Sequence, residues 1–169
     1  MYRDLTRGNI SRALILFALP MIAGNLLQQF YNIADTLIVG RALGANALAA
    51  VGSAYTLMTF LTSIFLGLSM GSGALFSIYQ GRGDEDSLRA GIAHAFALIM
   101  GVTVLLNVAV YAFLEPFLDF LRVPDAVLGG MREYLLVIFA GLIATSLYNY
   151  FSFLLRALGN SSVPLMFLA

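Results

Sequence analysis

The residues best suited to chemistry in this sequence lie in its first long apolar stretch, where polar side chains recur at helical spacing. Wound as an α-helix, that stretch places six of them within an arc of about 120°. This polar stripe consists of Asn25, Gln28, Gln29, Asn32, Asp35 and Thr36. Because polar groups are costly to expose to lipid, the stripe is expected to face other helices or a water-filled cavity.

Asp35 is the one member of the stripe that can carry a charge. A carboxylate inside a membrane helix costs roughly 3 kcal/mol unless it is protonated, paired or hydrated. Burial favours the neutral form and a bound cation favours the charged form. Asp35 could therefore exchange a proton, a sodium ion or a cationic substrate. The alternative is a hydrated carboxylate at the interface, because Gly40 follows within two helical turns.

The amides Asn25, Gln28 and Asn32 are candidates for lining a cavity beside Asp35. Amides between membrane helices also serve as interhelical hydrogen-bond donors and acceptors without touching any ligand. The residue types alone leave both interpretations open. Tyr148, Asn149 and Tyr150, in a later apolar stretch, are further candidates for lining a cavity, although aromatic residues near an interface are common.

The composition places these residues in a lipid bilayer. Hydrophobic residues make up 60% of the chain and charged residues 11%, against about a quarter charged in ordinary soluble domains. The formal net charge of +0 gives no support to nucleic-acid binding. With Cys 0 and a single histidine, the sequence offers no thiolate metal site and no catalytic triad. We therefore expect a non-enzyme without an organic cofactor or a structural metal.

Four stretches are long and apolar enough to cross a bilayer, which takes about 20 residues. They run over residues 13–39, 46–80, 90–114 and 134–155, and a fifth begins near residue 163. The second is predicted to be one long, bent helix. Within it, Gly67 and Gly71 favour close helix packing, with a hinge as the alternative. The predicted fold is all-α, and a fifth helix that starts shortly before residue 169 predicts a fragment of a longer protein.

Local signals predict where these helices begin and end. The segment Asp84–Ser87 suits the start of the third helix, because acidic groups and short polar side chains accept hydrogen bonds from free backbone N–H groups. Pro124 and the Gly129-Gly130 pair predict a break between the third and fourth spans. Ser161 or Ser162 is predicted to cap the helix that follows.

The arginines predict an orientation, since cytoplasmic loops of membrane proteins carry more basic residues. With the N-terminus in the cytoplasm, the cytoplasmic segments hold Arg3, Arg7, Arg12, Arg82, Arg89 and Arg156. The outer segments hold Arg41, Arg122 and Arg132. We therefore expect a multi-pass protein of the cell membrane with a cytoplasmic N-terminus, in which Arg156 anchors its helix at the interface.

Three segments resemble the multidrug and toxic compound extrusion (MATE) family of transporters. The segment Pro20–Gly40, which contains the polar stripe, resembles the family's first helix. The segment Arg41–Gly52, which ends in Leu48–Gly52, resembles the entry into its second helix, and Arg156–Pro164 resembles its link between helices four and five. The three come in the family's order and spacing, and from first to last they extend over residues 20–164.

The resemblance implies twelve helices in two six-helix lobes around a central cavity. It also implies export of amphipathic organic cations by alternating access, driven by sodium or protons. Asp35 matches the acidic residue that the family uses for cation coupling in its N-terminal lobe. Residues 1–169 would then be an incomplete N-terminal lobe, inactive without the missing C-terminal part of the same transporter.

Two other functions compete with this one. A lipid-linked oligosaccharide flippase of the same superfamily would share the architecture, but it would need basic residues in its cavity to hold pyrophosphate. No arginine falls in the middle of a predicted span. A small four-helix scaffold protein would explain the length, but it would leave the polar stripe ending in Asp35 unexplained.

Overall fold

The chain folds into α-helices throughout the part that the structure describes. A computed structural model describes residues 10–42, 44–120 and 125–168. The described residues form α1 (Ile10–Ala42), α2 (Gly44–Arg82), α3 (Glu85–Phe120), α4 (Asp125–Ala140), α5 (Leu142–Ala157) and α6 (Ser162–Leu168). No strand occurs among these residues, so the all-α prediction is confirmed. Arg3, Arg7, Arg122 and Pro124, which were used above, lie outside the described ranges.

Among the described helices, α1, α2 and α3 are each long and apolar enough to cross a membrane. A fourth crossing is formed if α4 and α5 are taken as one span, bent by 45° between them. The helix α2 runs unbroken for 39 residues, as the sequence predicted. At about 1.5 Å per residue it is roughly 58 Å long, so it must tilt or extend beyond ~30 Å of hydrocarbon.

The start of α3 is fixed by the predicted cap. The backbone N–H of Ser87 donates to Oδ1 of Asp84 over 3.1 Å. Hydrogen bonds from the Ser87 side chain and backbone hold the pKa of Asp84 below its ordinary value, and the nearby charge of Arg82 lowers it further. The Asp84 carboxylate is therefore ionised at neutral pH and can accept the hydrogen bond from Ser87.

The glycine pair was predicted to lie in the connection between the third and fourth spans. Gly129 and Gly130 lie instead inside α4, so that prediction is wrong for the pair. A glycine costs a helix interior about 1 kcal/mol. Packing outweighs this cost here, since Met131 and Leu135 are fully buried. The fourth span itself contains a break that was not predicted, at Gly141.

Side chains of α3 support the break at Gly141. A broken helix leaves backbone carbonyls without N–H partners, which is costly in lipid. Asn107 Nδ2 donates to the carbonyl of Phe139 over 2.8 Å, and Tyr111 OH donates to the carbonyl of Leu136 over 3.1 Å. The interruption is thus a hydrogen-bonded part of the fold.

The start of α6 also differs from the prediction of a serine cap. Asn160 Oδ1 accepts hydrogen bonds from the backbone N–H groups of Ser162 and Val163, over 3.3 Å and 3.2 Å. Asn160 is buried and its side chain reaches the first helical N–H groups, whereas Ser162 is already inside the helix. The capping residue therefore lies one position before the predicted pair.

The buried core is built by α2, α3, α4 and α5, here called the α2–α5 bundle. One cluster of buried residues consists of Leu61, Phe65, Leu114, Leu118, Met131, Leu135, Phe139 and Leu142. A second consists of Phe76, Leu88, Ile99 and Tyr150. All twelve belong to the bundle, and α1 packs on the outside against α2 and α6.

Close packing of α2 on α5 uses a different glycine from the predicted pair. A Cβ placed on Gly67 or Gly71 would meet no described atom within 4 Å. At Gly73 it would lie 3.2 Å from Cβ of Phe153 in α5. The prediction of tight packing at Gly67 and Gly71 is therefore wrong for the described contacts, since both face outwards and Gly73 makes the close approach.

Candidate functional site

The polar stripe of α1 is divided between two cavities that follow one another along the helix. The larger is an open cleft of about 670 Å³ between α1, α2 and α4, and Gln29, Asn32 and Thr36 line it. The smaller, of about 80 Å³, lies between α1, α2, α5 and α6, and Asn25 and Gln28 line it. We call them the cleft and the polar pocket.

The cleft combines polar groups with aromatic rings from three helices. Tyr31 of α1, Tyr55 of α2 and Tyr134 of α4 line it together with the amides of α1. Its volume lies in the range that suits drug-sized ligands, about 300–1,000 Å³. Aromatic faces attract organic cations through their quadrupoles. The cleft therefore has the size and the lining that an amphipathic cation requires.

The hydrogen bonds described for this part of the stripe stay within α1. Asn32 Nδ2 donates to Oε1 of Gln29 over 3.2 Å, and the Thr36 hydroxyl donates to the carbonyl of Asn32 over 2.8 Å. The side chains of Gln29 and Thr36 are exposed. These groups are thus positioned by their own helix and keep further hydrogen-bonding capacity towards the cleft.

Asp35 lies in α1 between two residues that line the cleft, Asn32 and Thr36. Its side chain is outside the part of the chain that the structure describes. Its role in cation coupling, and the sodium ion proposed to bind it, therefore remain predictions. Within the described residues, no group of three or more His, Cys, Asp or Glu side chains could hold a metal ion.

In the polar pocket, the N-terminal part of the polar stripe lies beside α5. Besides Asn25 and Gln28, the lining of the pocket includes Tyr148, Asn149 and Arg156. The prediction for Tyr150 is wrong, because this side chain is buried in the core of the bundle. The sequence predicted Arg156 to be an interfacial anchor, and the structure places its side chain partly buried in the wall of this pocket. The lining of the pocket is therefore polar and includes one positively charged side chain, that of Arg156.

Sequence reasoning missed the tyrosines of the cleft and the place of Arg156. Tyr55 and Tyr134 are about 80 residues apart in the sequence, and Tyr134 is about 100 residues from Tyr31 of α1. Only the packing of the helices brings the three rings to one cavity. Arg156 lies in the last turn of its helix, where basic residues are common for electrostatic reasons alone. Its proximity to the amides of α1 is a tertiary feature that no local pattern signals.

Comparison with known proteins identifies the family. The MatE family model matches residues 20–169, which include α2 to α6 and most of α1. The chain belongs to the MatE family. The resemblance that the three sequence segments suggested is therefore confirmed.

Relatives of this MatE chain are named as probable multidrug resistance proteins and, in one case, as a transporter. A probable multidrug resistance protein, YpnP, of Bacillus subtilis is 32% identical over 166 residues, covering 98% of this chain and 37% of the relative. A FAD transporter of Shewanella oneidensis is 24% identical, covering 96% of this chain and 36% of the relative. The chain thus spans about a third of the length of the relatives it matches.

Solved structures share the fold of this MatE chain. It superposes on a MOP superfamily transporter from Pyrococcus furiosus with a TM-score of 0.90 and 22% identity, covering 97% of this chain and 36% of that one. A multidrug resistance MATE family transporter in an outward-facing conformation gives the same values. The helices of this chain therefore have the same arrangement as about a third of each of these solved structures.

Proposed function

We propose that this chain forms part of the N-terminal lobe of a transporter that exports amphipathic organic cations or drugs in exchange for sodium ions or protons. Membership of the MatE family and relatives named as multidrug resistance proteins support the transport class. The observation that carries the substrate class is the cleft of about 670 Å³, lined by Tyr31, Tyr55 and Tyr134 beside the amides of α1.

In this proposal, coupling depends on Asp35. A cation, a sodium ion and a proton are mutually exclusive partners of one carboxylate, because each neutralises the same charge. Binding of the coupling ion from outside would release the substrate, and its loss to the cytoplasm would allow the next substrate to bind. Asn32 and Thr36, the neighbours of Asp35 on the stripe, line the cleft, which supports a role for this part of α1 in exchange.

The chain on its own is proposed to be inactive. Alternating access requires two lobes that move relative to each other, and the described helices supply at most four crossings of a membrane. The partner would be the remaining two thirds of a family-length transporter, and the setting would be the cell membrane with the N-terminus in the cytoplasm. The proposed activity is transport without catalysis, a cofactor or nucleic acid.

The test is an efflux assay on a full-length transporter that carries this chain as its N-terminal third. Export of a fluorescent organic cation is measured from inverted or right-side-out vesicles under separately imposed sodium and proton gradients. The proposal predicts export driven by one of the two gradients in the wild type. It also predicts loss of that export in Asp35→Asn at equal membrane expression.

A matched control replaces a polar residue on the same helix that is not charged. Ser11→Ala should keep gradient-driven export, because Ser11 is exposed on α1, is not among the lining residues of the cleft or the polar pocket, and its replacement leaves the carboxylate in place. If Asp35→Asn exports as well as the wild type, then Asp35 is a hydrated interfacial carboxylate and the coupling role is wrong. If the wild type exports no cation under either gradient, the proposed substrate class is wrong and an anionic cargo, as in the flippase alternative, takes its place.

A further inference from the structure

We propose that the polar pocket between α1, α5 and α6 binds an oxyanion, namely a carboxylate or phosphate group, through Arg156. This site is separate from Asp35 and from the cation exchange proposed above, and it would be occupied whether or not that exchange occurs. The group could belong to a phospholipid headgroup or to a small soluble compound.

The first observation is a buried donor without an acceptor. Nε of Arg156 is buried and has no hydrogen-bond partner among the described residues. The ion pairs found in the described part of the chain involve other arginines, Arg89 with Glu85 and Arg132 with Glu115. Leaving a buried donor unpaired costs about 1–3 kcal/mol, and more for a charged group. The described residues therefore leave Arg156 with hydrogen-bonding capacity that they do not satisfy.

The guanidinium group is held in a defined place. Its central carbon lies 5.3 Å from the ring centroid of Phe153, one turn earlier in α5. Stacking on a ring occupies one face of the planar guanidinium and leaves the N–H groups at its edge available. A guanidinium fixed in this way suits a carboxylate or phosphate, which it can contact through two parallel hydrogen bonds.

The rest of the lining is neutral and favours an acceptor as the occupant. Asn149 already donates to the carbonyl of Thr145 over 2.9 Å, and Tyr148 OH donates to the carbonyl of Pro164 over 3.4 Å. The amides of Asn25 and Gln28 face the same pocket from α1. No acidic residue is among the described residues of the lining. The pocket thus has one positive charge, spare amide donors and no carboxylate to neutralise it.

The size of the pocket limits the occupant to a small group. About 80 Å³ holds a carboxylate or a phosphate but not the body of a drug, for which about 300 Å³ or more is usual. Gln28 lines the pocket and Asn32 lines the cleft. The two are one turn apart, about 6 Å along α1. An oxyanion in the pocket could therefore belong to a molecule that continues into the cleft or into the surrounding lipid.

A purely interfacial arginine would have a different geometry. Lysine and arginine anchors extend their charged ends into water or headgroups while their stems cover apolar surface. Here Arg156 is only partly exposed and its Nε has no access to solvent. Being in the last turn of α5, it remains within reach of headgroup phosphates at the interface. Arg156 therefore has the position of an interfacial anchor, and in the proposal it also binds the oxyanion.

The experiment measures thermal unfolding of the purified 169-residue chain in a neutral maltoside detergent. Three probes are titrated against sodium chloride of equal ionic strength: short-chain phosphatidylglycerol, inorganic phosphate and acetate. We expect saturable stabilisation of the wild type by at least one of them. Saturation with the lipid alone would identify a headgroup, and saturation with phosphate or acetate would identify a soluble oxyanion.

Three variants decide whether the pocket is responsible. Arg156→Gln should weaken binding by roughly tenfold or more, because it removes a charge-assisted hydrogen bond. Arg89→Gln removes the same charge from an exposed position on α3 and should bind like the wild type. Gln28→Leu changes an exposed side chain of α1, which should leave the fold intact, and should weaken binding several-fold.

Two results would overturn the assignment. One is the absence of saturable stabilisation of the wild type by all three probes. The other is an affinity in Gln28→Leu and in Arg156→Gln equal to that of Arg89→Gln. If Arg156→Gln does not fold, Gln28→Leu alone decides, and an unchanged affinity in that variant refutes the site.

Discussion

The α2–α5 bundle and α1 differ in where the partners of their polar side chains lie. In the bundle, some buried polar side chains are paired across helices, whereas Ser69 of α2 is buried without a described partner. Thr103 of α3 and Ser146 of α5, both fully buried, lie 2.6 Å apart. In α1, no described residue in the most apolar part of the helix is buried. The described hydrogen bonds of its polar stripe stay within the helix.

The same pattern holds for other polar groups of the bundle. Tyr150 is buried in α5, and its hydroxyl donates to the carbonyl of Ile92 in α3 over 2.8 Å. Asn107 of α3 supports the break between α4 and α5. These polar side chains connect helices, which favours a single rigid packing.

Polar residues in membrane helices thus have two separate uses. Where a polar group finds a partner on another helix, it contributes to packing. Where it lines an open cavity, as Asn32 and Gln28 do, it remains available to water, an ion or a ligand. The bundle thus forms the support for α1, whose polar side chains line the two cavities.

The largest expected effect comes from truncating a core residue of the bundle. Phe65 of α2 is fully buried, and Phe65→Ala should lower the free energy of unfolding by about 3–5 kcal/mol through lost contacts and a cavity. The matched change Phe30→Ala on α1, where the ring is 67% exposed, should alter it by less than about 0.5 kcal/mol. Unfolding in mixed micelles with increasing denaturing detergent measures both. Similar losses in the two variants would contradict the division between bundle and α1.

A medium effect is expected where α2 approaches α5 most closely. Gly73→Leu would force a side chain against Phe153, and such overpacking costs about 1–3 kcal/mol. Gly71→Leu, two residues earlier on an open face, should be tolerated. Thermal unfolding of both variants in detergent tests this. If Gly71→Leu were the more damaging change, the contact surface of α2 would have been assigned to the wrong face.

The smallest effect concerns the hydroxyl pair of the bundle. The Thr103 hydroxyl donates its one hydrogen to the carbonyl of Ile99 over 2.7 Å, so Ser146 must donate to Thr103. A double-mutant cycle with Thr103→Val and Ser146→Ala should give a coupling energy of about 0.6 kcal/mol, the average for such pairs in membranes. A cycle of Thr36→Val with Ser146→Ala is the control and should give none. Equal coupling in both cycles would show that the pair does not interact specifically.

The sequence predicted those features that depend on composition and local capping. The length of α2, the Asp84 cap and the all-α architecture follow from apolar runs and short-range hydrogen bonds. Predictions from glycine were less successful. The pair Gly129-Gly130 was predicted to lie in the connection before the fourth span, but packing of neighbouring residues keeps it helical. The break at Gly141, inside the fourth span, was not predicted and is supported by donors from α3.

The candidate site was only partly predictable for a similar reason. Helical spacing alone was enough to place Asn25, Gln28 and Asn32 on one face of α1. The residues that complete the two cavities, Tyr134 and Arg156, come from distant parts of the chain. Their contribution depends on how α4 and α5 pack, which residue spacing does not specify.

We expect the polar stripe of α1 to face water and the opposite side of α1 to face lipid, and labelling of single cysteines tests this arrangement. The chain has Cys 0, so Gln28→Cys, Asn32→Cys, Leu27→Cys and Phe30→Cys can each be introduced without removing a native thiol. In membranes, a water-soluble maleimide should react readily at positions 28 and 32 and slowly at positions 27 and 30. Equal reactivity at all four positions would contradict this arrangement.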